Sequence, residues 1–142
     1  MSPINDQLII VEEIKMNLLA KSCFAPGLIA LLSNLSASAS TSGLDIDAMG
    51  KEWLKEYAGG MGHEIYRVLI SENEFWSPVP LSFKRVVEIC FHEYSAVVFA
   101  LEIEIKGKNK SIVRLNPSNF TFHEWEKYSY YLYVIGEDES LA

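Results

Sequence analysis

The chain has 142 residues, of which 49% are hydrophobic, and a formal net charge of -7 from 12 Lys and Arg against 19 Asp and Glu. This length and composition predict one modest globular domain with a hydrophobic core. The acidic balance argues against a nucleic-acid partner, because phosphate binding requires concentrated positive charge. No apolar run approaches the roughly 20 residues of a membrane span, so we expect a soluble fragment without direct membrane insertion.

Residues 13–35, EIKMNLLAKSCFAPGLIALLSNL, predict two apolar helices separated by Pro26 and Gly27. Pro26 lacks a backbone N–H and disfavours helical geometry in the residue before it, so the first helix should end near Phe24. The second helix, over residues 28–35, is apolar on nearly every side. Two interpretations stay open: an ordinary core helix pair, or a surface that another domain covers.

The middle of the chain predicts a linker followed by a third helix. Residues 36–43, SASASTSG, are small and polar, as in flexible linkers. Asp45 or Asp47 can cap the helix that follows, and we expect Gly59 and Gly60 to stop it.

Beyond Gly62 the pattern predicts an α+β lobe. The predicted elements are strands at 64–70, 96–105, 111–115 and 130–135, with a helix at 82–92 whose Phe83, Val86, Val87, Cys90 and Phe91 point inward. The strand at 111–115 should return antiparallel after a turn at Gly107. Glu102 and Glu104 alternate with apolar residues, so we expect the second half of the 96–105 strand to be half-exposed. The fold class is therefore α+β, with an N-terminal helix-turn-helix hairpin and a small mixed lobe.

The sequence contains no glycine-rich phosphate loop, GxSxG, HExxH or CxxC pattern, and we expect no catalytic residues and no enzyme. Cys23 and Cys90 lie in apolar segments, which predicts reduced, buried thiols.

The glycine-rich turn ending at Gly62 is followed by Glu64, and free carbonyls beside a carboxylate are oxygen ligands that calcium uses. The alternative is a helix stop followed by a solvated glutamate.

Four segments occur in the order of one known family: residues 13–35, residues 53–66 (WLKEYAGGMGHEIY), residues 83–91 (FKRVVEICF) and residues 112–117 (IVRLNP). Together they resemble the C-terminal half of the first RCK domain of Slo-type, large-conductance calcium-activated potassium channels. In that family, cytosolic RCK domains form a tetrameric gating ring that opens the pore. The resemblance implies a helical hairpin that packs on a neighbouring RCK domain, followed by an α+β regulatory lobe.

The resemblance also implies the site residues. Glu64 would be a calcium ligand and Gly62 a carbonyl donor, with backbone positions near Ser38, Ala39 and Gly136. An aspartate from a Rossmann-like lobe is missing here, so we expect calcium to bind in the full-length protein and not tightly to this fragment. The expected assembly interface consists of Leu18, Leu19, Phe24, Leu28, Ile29, Leu31, Leu32 and Leu35.

The leading hypothesis is a cytosolic gating-ring module cut from a longer channel, with other RCK domains of a homotetramer as its partners. We expect a hairpin at 5–36, a linker at 37–44 and a regulatory lobe at 45–137. By itself the fragment can form a homodimer. The alternative is a stand-alone domain that binds a small ligand or dimerises through the hairpin.

Overall fold

The computed structural model describes residues 10–37, 50–71, 80–108 and 110–137. The elements in these residues are α1 (Val11–Ser22), α2 (Leu28–Ser36), α3 (Glu52–Met61), β1 (Glu64–Ile70), α4 (Phe83–Tyr94), β2 (Val97–Ile105), β3 (Ser111–Leu115) and β4 (Tyr128–Gly136). The described residues divide into two compact units, residues 10–64 and residues 65–137. The predicted α+β class is confirmed. None of the described helices combines the length and apolarity that crossing a bilayer requires.

The break between α1 and α2 lies where the sequence predicts it. The amide of Ala25 donates to the carbonyl of Lys21 at 3.0 Å, which closes the end of the first helix. Gly27 then adopts a left-handed conformation with φ of 90°, which a residue with a Cβ enters only at a cost. The carbonyl of Gly27 accepts from Leu31 at 2.9 Å, so the second helix starts directly after the turn.

The third helix differs from the prediction at its C-terminal end. Gly59 and Gly60 do not stop α3, which continues to Met61. The amide of Gly62 donates to the carbonyl of Gly59 at 3.4 Å, and that of His63 to Gly60 at 3.3 Å. These contacts close the last turn without a left-handed glycine, so the helix ends two residues later than expected. The predicted caps, Asp45 and Asp47, lie outside the described residues.

The four described strands form one sheet in the order β1-β4-β2-β3. Strand β2 pairs antiparallel with β3 on one side and with β4 on the other. Gly107, with φ of 75°, lies in the predicted turn between β2 and β3. All four predicted strands are confirmed, and β4 begins two residues earlier than expected.

Helix α4 packs one face into the hydrophobic core of the second unit. Its Ser82 cap accepts from the amide of Arg85 at 3.3 Å, and Phe83, Val86 and Cys90 are buried against residues of β2 and β4. Burying a phenylalanine such as Phe83 stabilises a fold by about 2–3 kcal/mol. The predicted inward orientation is wrong for Phe91, which is 57% exposed. The sheet covers only the stripe at i, i+3 and i+7 of this helix.

The predicted domain boundaries stay a prediction. The predicted linker at 37–44 lies almost entirely outside the described residues. In the described part of the chain, α3 groups with the hairpin rather than with the sheet.

Candidate functional site

The helical hairpin presents apolar side chains that stay exposed among the residues that the structure describes. No residue of α1 or α2 is buried. Phe24, in the turn between the helices, is 92% exposed, and Leu19 and Leu31 are each 55% exposed. Several large apolar side chains exposed within one short hairpin are typical of an interaction site. We call Leu19, Phe24, Ile29 and Leu31 the hairpin surface.

The other predicted interface residues have a different environment. Leu18, Leu28, Leu32 and Leu35 are half-buried, and α1 and α2 contact each other. Residues 28, 32 and 35 follow the i, i+4, i+7 spacing of one helix face. The predicted set therefore divides into a half-buried stripe consistent with closing the hairpin and an outward-facing hairpin surface.

The hairpin also exposes a thiol. Cys23 is an exposed free cysteine, and its Sγ lies 3.5 Å from the carbonyl oxygen of Leu19. The expectation of a buried thiol is wrong for Cys23, because none of the described elements of its unit covers this turn. It is correct for Cys90, which lies in the core. Burial raises the pKa of the Cys90 thiol.

The segment predicted to bind calcium joins α3 to β1. Gly62 is the C-terminal cap of α3, and Glu64 is the first residue of β1. Both residues are half-buried. Within the described part of the chain, the Glu64 carboxylate has no hydrogen-bond or ion-pair partner. The adjacent His63 has a buried Nδ1 that is also unpartnered there.

This segment offers only part of a calcium coordination shell. The described residues contain no cluster of three or more His, Cys, Asp and Glu that could hold a metal ion. Calcium takes six to eight oxygen ligands, so one carboxylate and neighbouring carbonyls are insufficient alone. Of the other positions that the resemblance implies, Ser38 and Ala39 lie outside the described residues, and Gly136 is the last residue of β4. The assignment of Glu64 and Gly62 stays a prediction.

The sheet carries a polar network that the sequence pattern does not predict. Glu102, expected to be half-exposed, is buried with 8% exposure, because it lies on the central strand β2. Its carboxylate accepts from Arg67 Nε at 2.8 Å and from the Tyr133 hydroxyl at 3.1 Å. The Arg67 hydrogen bond holds the pKa of Glu102 below its ordinary value. The two acids of β2, Glu102 and Glu104, alternate in the same way with apolar residues, so no local pattern distinguishes the buried Glu102 from the half-buried Glu104.

The comparison with protein families decides which family the chain belongs to. The family model described as "Calcium-activated BK potassium channel alpha subunit" matches residues 6–101. The chain belongs to this BK channel family. The match includes the hairpin, α3, α4 and the start of β2, and the resemblance predicted from the ordered sequence segments is confirmed. This is a family of ion channels and not of enzymes.

Two further comparisons agree with the BK family assignment. The chain is 28% identical over 112 residues to the calcium-activated potassium channel slo-1 of Caenorhabditis elegans, an alignment covering 79% of this chain and 9% of that protein. A solved structure of the human SLO3 gating ring matches the fold with a TM-score of 0.66 at 20% identity, covering 95% of this chain and 22% of that one. The chain thus spans about a tenth of its curated relative's length.

Proposed function

We propose that this chain is a regulatory part of the gating ring of a calcium-activated potassium channel, on the cytoplasmic side of the membrane. The proposal is supported by the family match and by the slo-1 relative, which is a calcium-activated potassium channel. The single observation that carries it is the hairpin surface, whose exposed apolar side chains require a partner. In this role the chain regulates by assembly and ligand binding, without catalysis.

The partners proposed for the hairpin surface are other RCK domains of the same homotetrameric channel. The fold likeness to the SLO3 gating ring supports this choice. Covering Phe24 and Leu31 would stabilise the assembly by a free energy of about 25 cal/mol for each Å² of apolar surface that is removed from water. A ring in which ligand binding changes such interfaces can favour an open or a closed state by differential affinity.

The proposed ligand is calcium, bound by Glu64 and the carbonyl of Gly62 together with groups from outside this chain. The unpartnered Glu64 carboxylate supports this assignment, since a carboxylate already held by a lysine or arginine would be less available to a cation. Because one carboxylate cannot complete the shell, tight binding is expected only in the assembled channel.

A chimeric channel tests the proposed function. The aligned region of the slo-1 channel is replaced by this chain, and potassium current is recorded from excised patches at stepped calcium concentrations. The expected result is a potassium current that increases with calcium. Surface labelling confirms that the chimera reaches the membrane. A chimera that is present at the surface and carries no calcium-dependent current contradicts the proposal and favours the stand-alone alternative.

The assembly role has its own test on the isolated chain. Light scattering after size exclusion is expected to give a dimer or larger species, and the double variant Phe24→Glu, Leu31→Glu is expected to be a folded monomer. Leu115→Glu is the matched control, because Leu115 is 77% exposed outside the hairpin. A wild-type chain that is monomeric at every concentration, or a control that dissociates equally, contradicts self-association through the hairpin surface.

A further inference from the structure

The sheet of the second unit carries a cavity that neither the calcium segment nor the hairpin uses. It has a volume of about 280 Å³ and lies between strands β2 to β4 and the segment at residues 120–123. Its aliphatic floor contains Ile103, which pairs with Ile112 on β3 and, on its other side, with Tyr130 of β4. Side chains at directly opposed positions share one face of a sheet. Ile103 and Ile112 therefore share one face of the sheet, and Ile105, two residues further along β2 and opposite Tyr128, lies on the same face.

The aromatic wall of the cavity is held in place by its own contacts. The rings of Phe120 and Tyr130 pack edge to face with centroids 5.9 Å apart, and Tyr128 lies beside Tyr130 at 6.3 Å. The Tyr130 hydroxyl donates to the carbonyl of His123 at 2.6 Å, which ties the loop to the sheet. A wall fixed in this way is formed before any ligand arrives, which lowers the entropic cost of binding.

The permanently charged side chains at this cavity are both cationic. Lys110 and Arg114 line it beside the imidazole of His123, and the lining that the structure describes includes no acidic residue. Neither Lys110 nor Arg114 forms an ion pair with any of the described residues. Arg114 lies over the Phe120 ring, 5.8 Å from its centroid. In a chain with a net charge of -7, such a basic, acid-free rim is a local exception.

The imidazole of His123 has a fixed orientation at the rim of the cavity. Its Nδ1 lies 2.9 Å from the carbonyl oxygen of Thr121. A carbonyl can only accept, so Nδ1 carries the proton and donates this hydrogen bond. The ring is thereby fixed between Phe120 and Tyr128, at 6.0 and 6.1 Å between centroids.

We propose that this cavity binds a small anionic amphiphile, a medium-chain aliphatic monocarboxylate. The aliphatic tail lies on the floor of Ile103, Ile105 and Ile112, and the carboxylate is bound by Arg114 and Lys110 at the rim. A guanidinium matches a carboxylate with two parallel hydrogen bonds. A cavity of about 280 Å³ is at the small end of ligand sites, which excludes whole phospholipids. This site goes beyond the proposed channel function and involves neither Glu64 nor the hairpin surface.

The binding test uses isothermal titration of the whole chain with sodium octanoate below its micellar concentration. Saturable binding with one site is expected. Octan-1-ol and octylammonium should bind at least about fivefold more weakly, because the alcohol has only one neutral acceptor oxygen and the ammonium has no acceptor and the same charge sign as Arg114 and Lys110. Acetate should bind no more tightly than they do. Equal affinity for octanoate and octan-1-ol, or no saturable octanoate binding, overturns the proposal.

Variants and a map of the site separate this cavity from other apolar surface. Arg114→Gln is expected to weaken octanoate binding about fivefold or more, and Ile112→Trp to abolish it by filling the cavity from an exposed strand position. Lys84→Gln, an exposed lysine on α4, is the matched control and should leave affinity unchanged. Methyl resonances of Ile103, Ile105 and Ile112 should shift on binding. Shifts confined to Leu19 and Leu31 would place octanoate on the hairpin surface and overturn the proposal.

Discussion

Arg67 on β1 donates from its Nε to Oε2 of Glu102 on β2 at 2.8 Å, although β4 lies between the two strands. The guanidinium crosses the intervening strand by lying 3.4 Å above the ring of Tyr131. The Tyr133 hydroxyl, also on β4, donates to the same carboxylate oxygen. One buried acid thus connects the strand that begins at Glu64 to the centre of the sheet.

Replacing Glu102 by alanine is expected to lower the free energy of unfolding by about 1–3 kcal/mol, because Arg67 and the Tyr133 hydroxyl lose their shared acceptor. The Arg67 side chain is 43% exposed and can regain water, which moderates the loss. Urea denaturation measures the change. Glu104→Ala, two residues along the same strand face, is the matched control and should lower the free energy of unfolding by less. Equal losses in the two variants would show that the network does not stabilise the sheet.

Acidification should weaken the same network. The Arg67 hydrogen bond lowers the pKa of Glu102 from its ordinary value of 4.5. A carboxyl group with a depressed folded-state pKa contributes stability that is present above its unfolded pKa and is lost as pH falls through the folded pKa. The stability difference between the wild type and Glu102→Gln should therefore shrink below about pH 4.5. Denaturation curves measured in steps of pH give this difference, and a constant difference down to acid unfolding would contradict the expectation.

Tyr130→Phe should detach the loop of the proposed carboxylate site from the sheet. The hydroxyl donates to the His123 carbonyl at 2.6 Å, and burial raises the pKa of Tyr130, which keeps the hydroxyl protonated as a donor. Losing this bond is expected to cost about 1 kcal/mol. Thermal denaturation measures the loss, and amide exchange should become faster at Phe122 and His123. Tyr94→Phe, at a 59% exposed position, is the control and should leave both readouts unchanged.

Glu64→Gln should reduce calcium sensitivity in the chimeric channel. Removing a charged oxygen ligand is expected to raise the half-activating calcium concentration on the order of tenfold, and patch recordings at stepped calcium measure it. Glu56→Gln, an exposed position on α3, controls for the loss of one negative charge. If both variants respond like the parent chimera, Glu64 is a solvated residue at the start of β1 and not a ligand.

Local patterns predicted the elements well where one backbone constraint dominates. Pro26 and Gly27 separate α1 from α2. Pro26 has no backbone N–H to donate, and Gly27 adopts a left-handed conformation. Alternation and turn residues likewise gave the β2–β3 hairpin. The end of α3 was predicted two residues early, because a glycine near a helix end is tolerated when the following amides still find carbonyls.

Burial of polar and apolar side chains was predicted less well, because it depends on neighbours distant in sequence. Glu102 resembles an exposed strand residue until β1, β4 and β3 are placed around β2. Phe91 and Cys23 have apolar sequence neighbours and are nevertheless exposed. The basic rim of the cavity brings together Arg114 and His123, which no local pattern connects.

The sequence by itself determined the order of helices and strands, the excess apolar surface of the hairpin and the channel family, since each depends on residue types and their spacing along the chain. Only the tertiary structure decided which leucines are half-buried and which face outward, where Arg67 finds its partner, and which residues enclose the apolar cavity. These features depend on strand order and register. Sheet pairing brings together residues that are distant in the chain, and only in that arrangement do their charges form ion pairs and their side chains line a cavity.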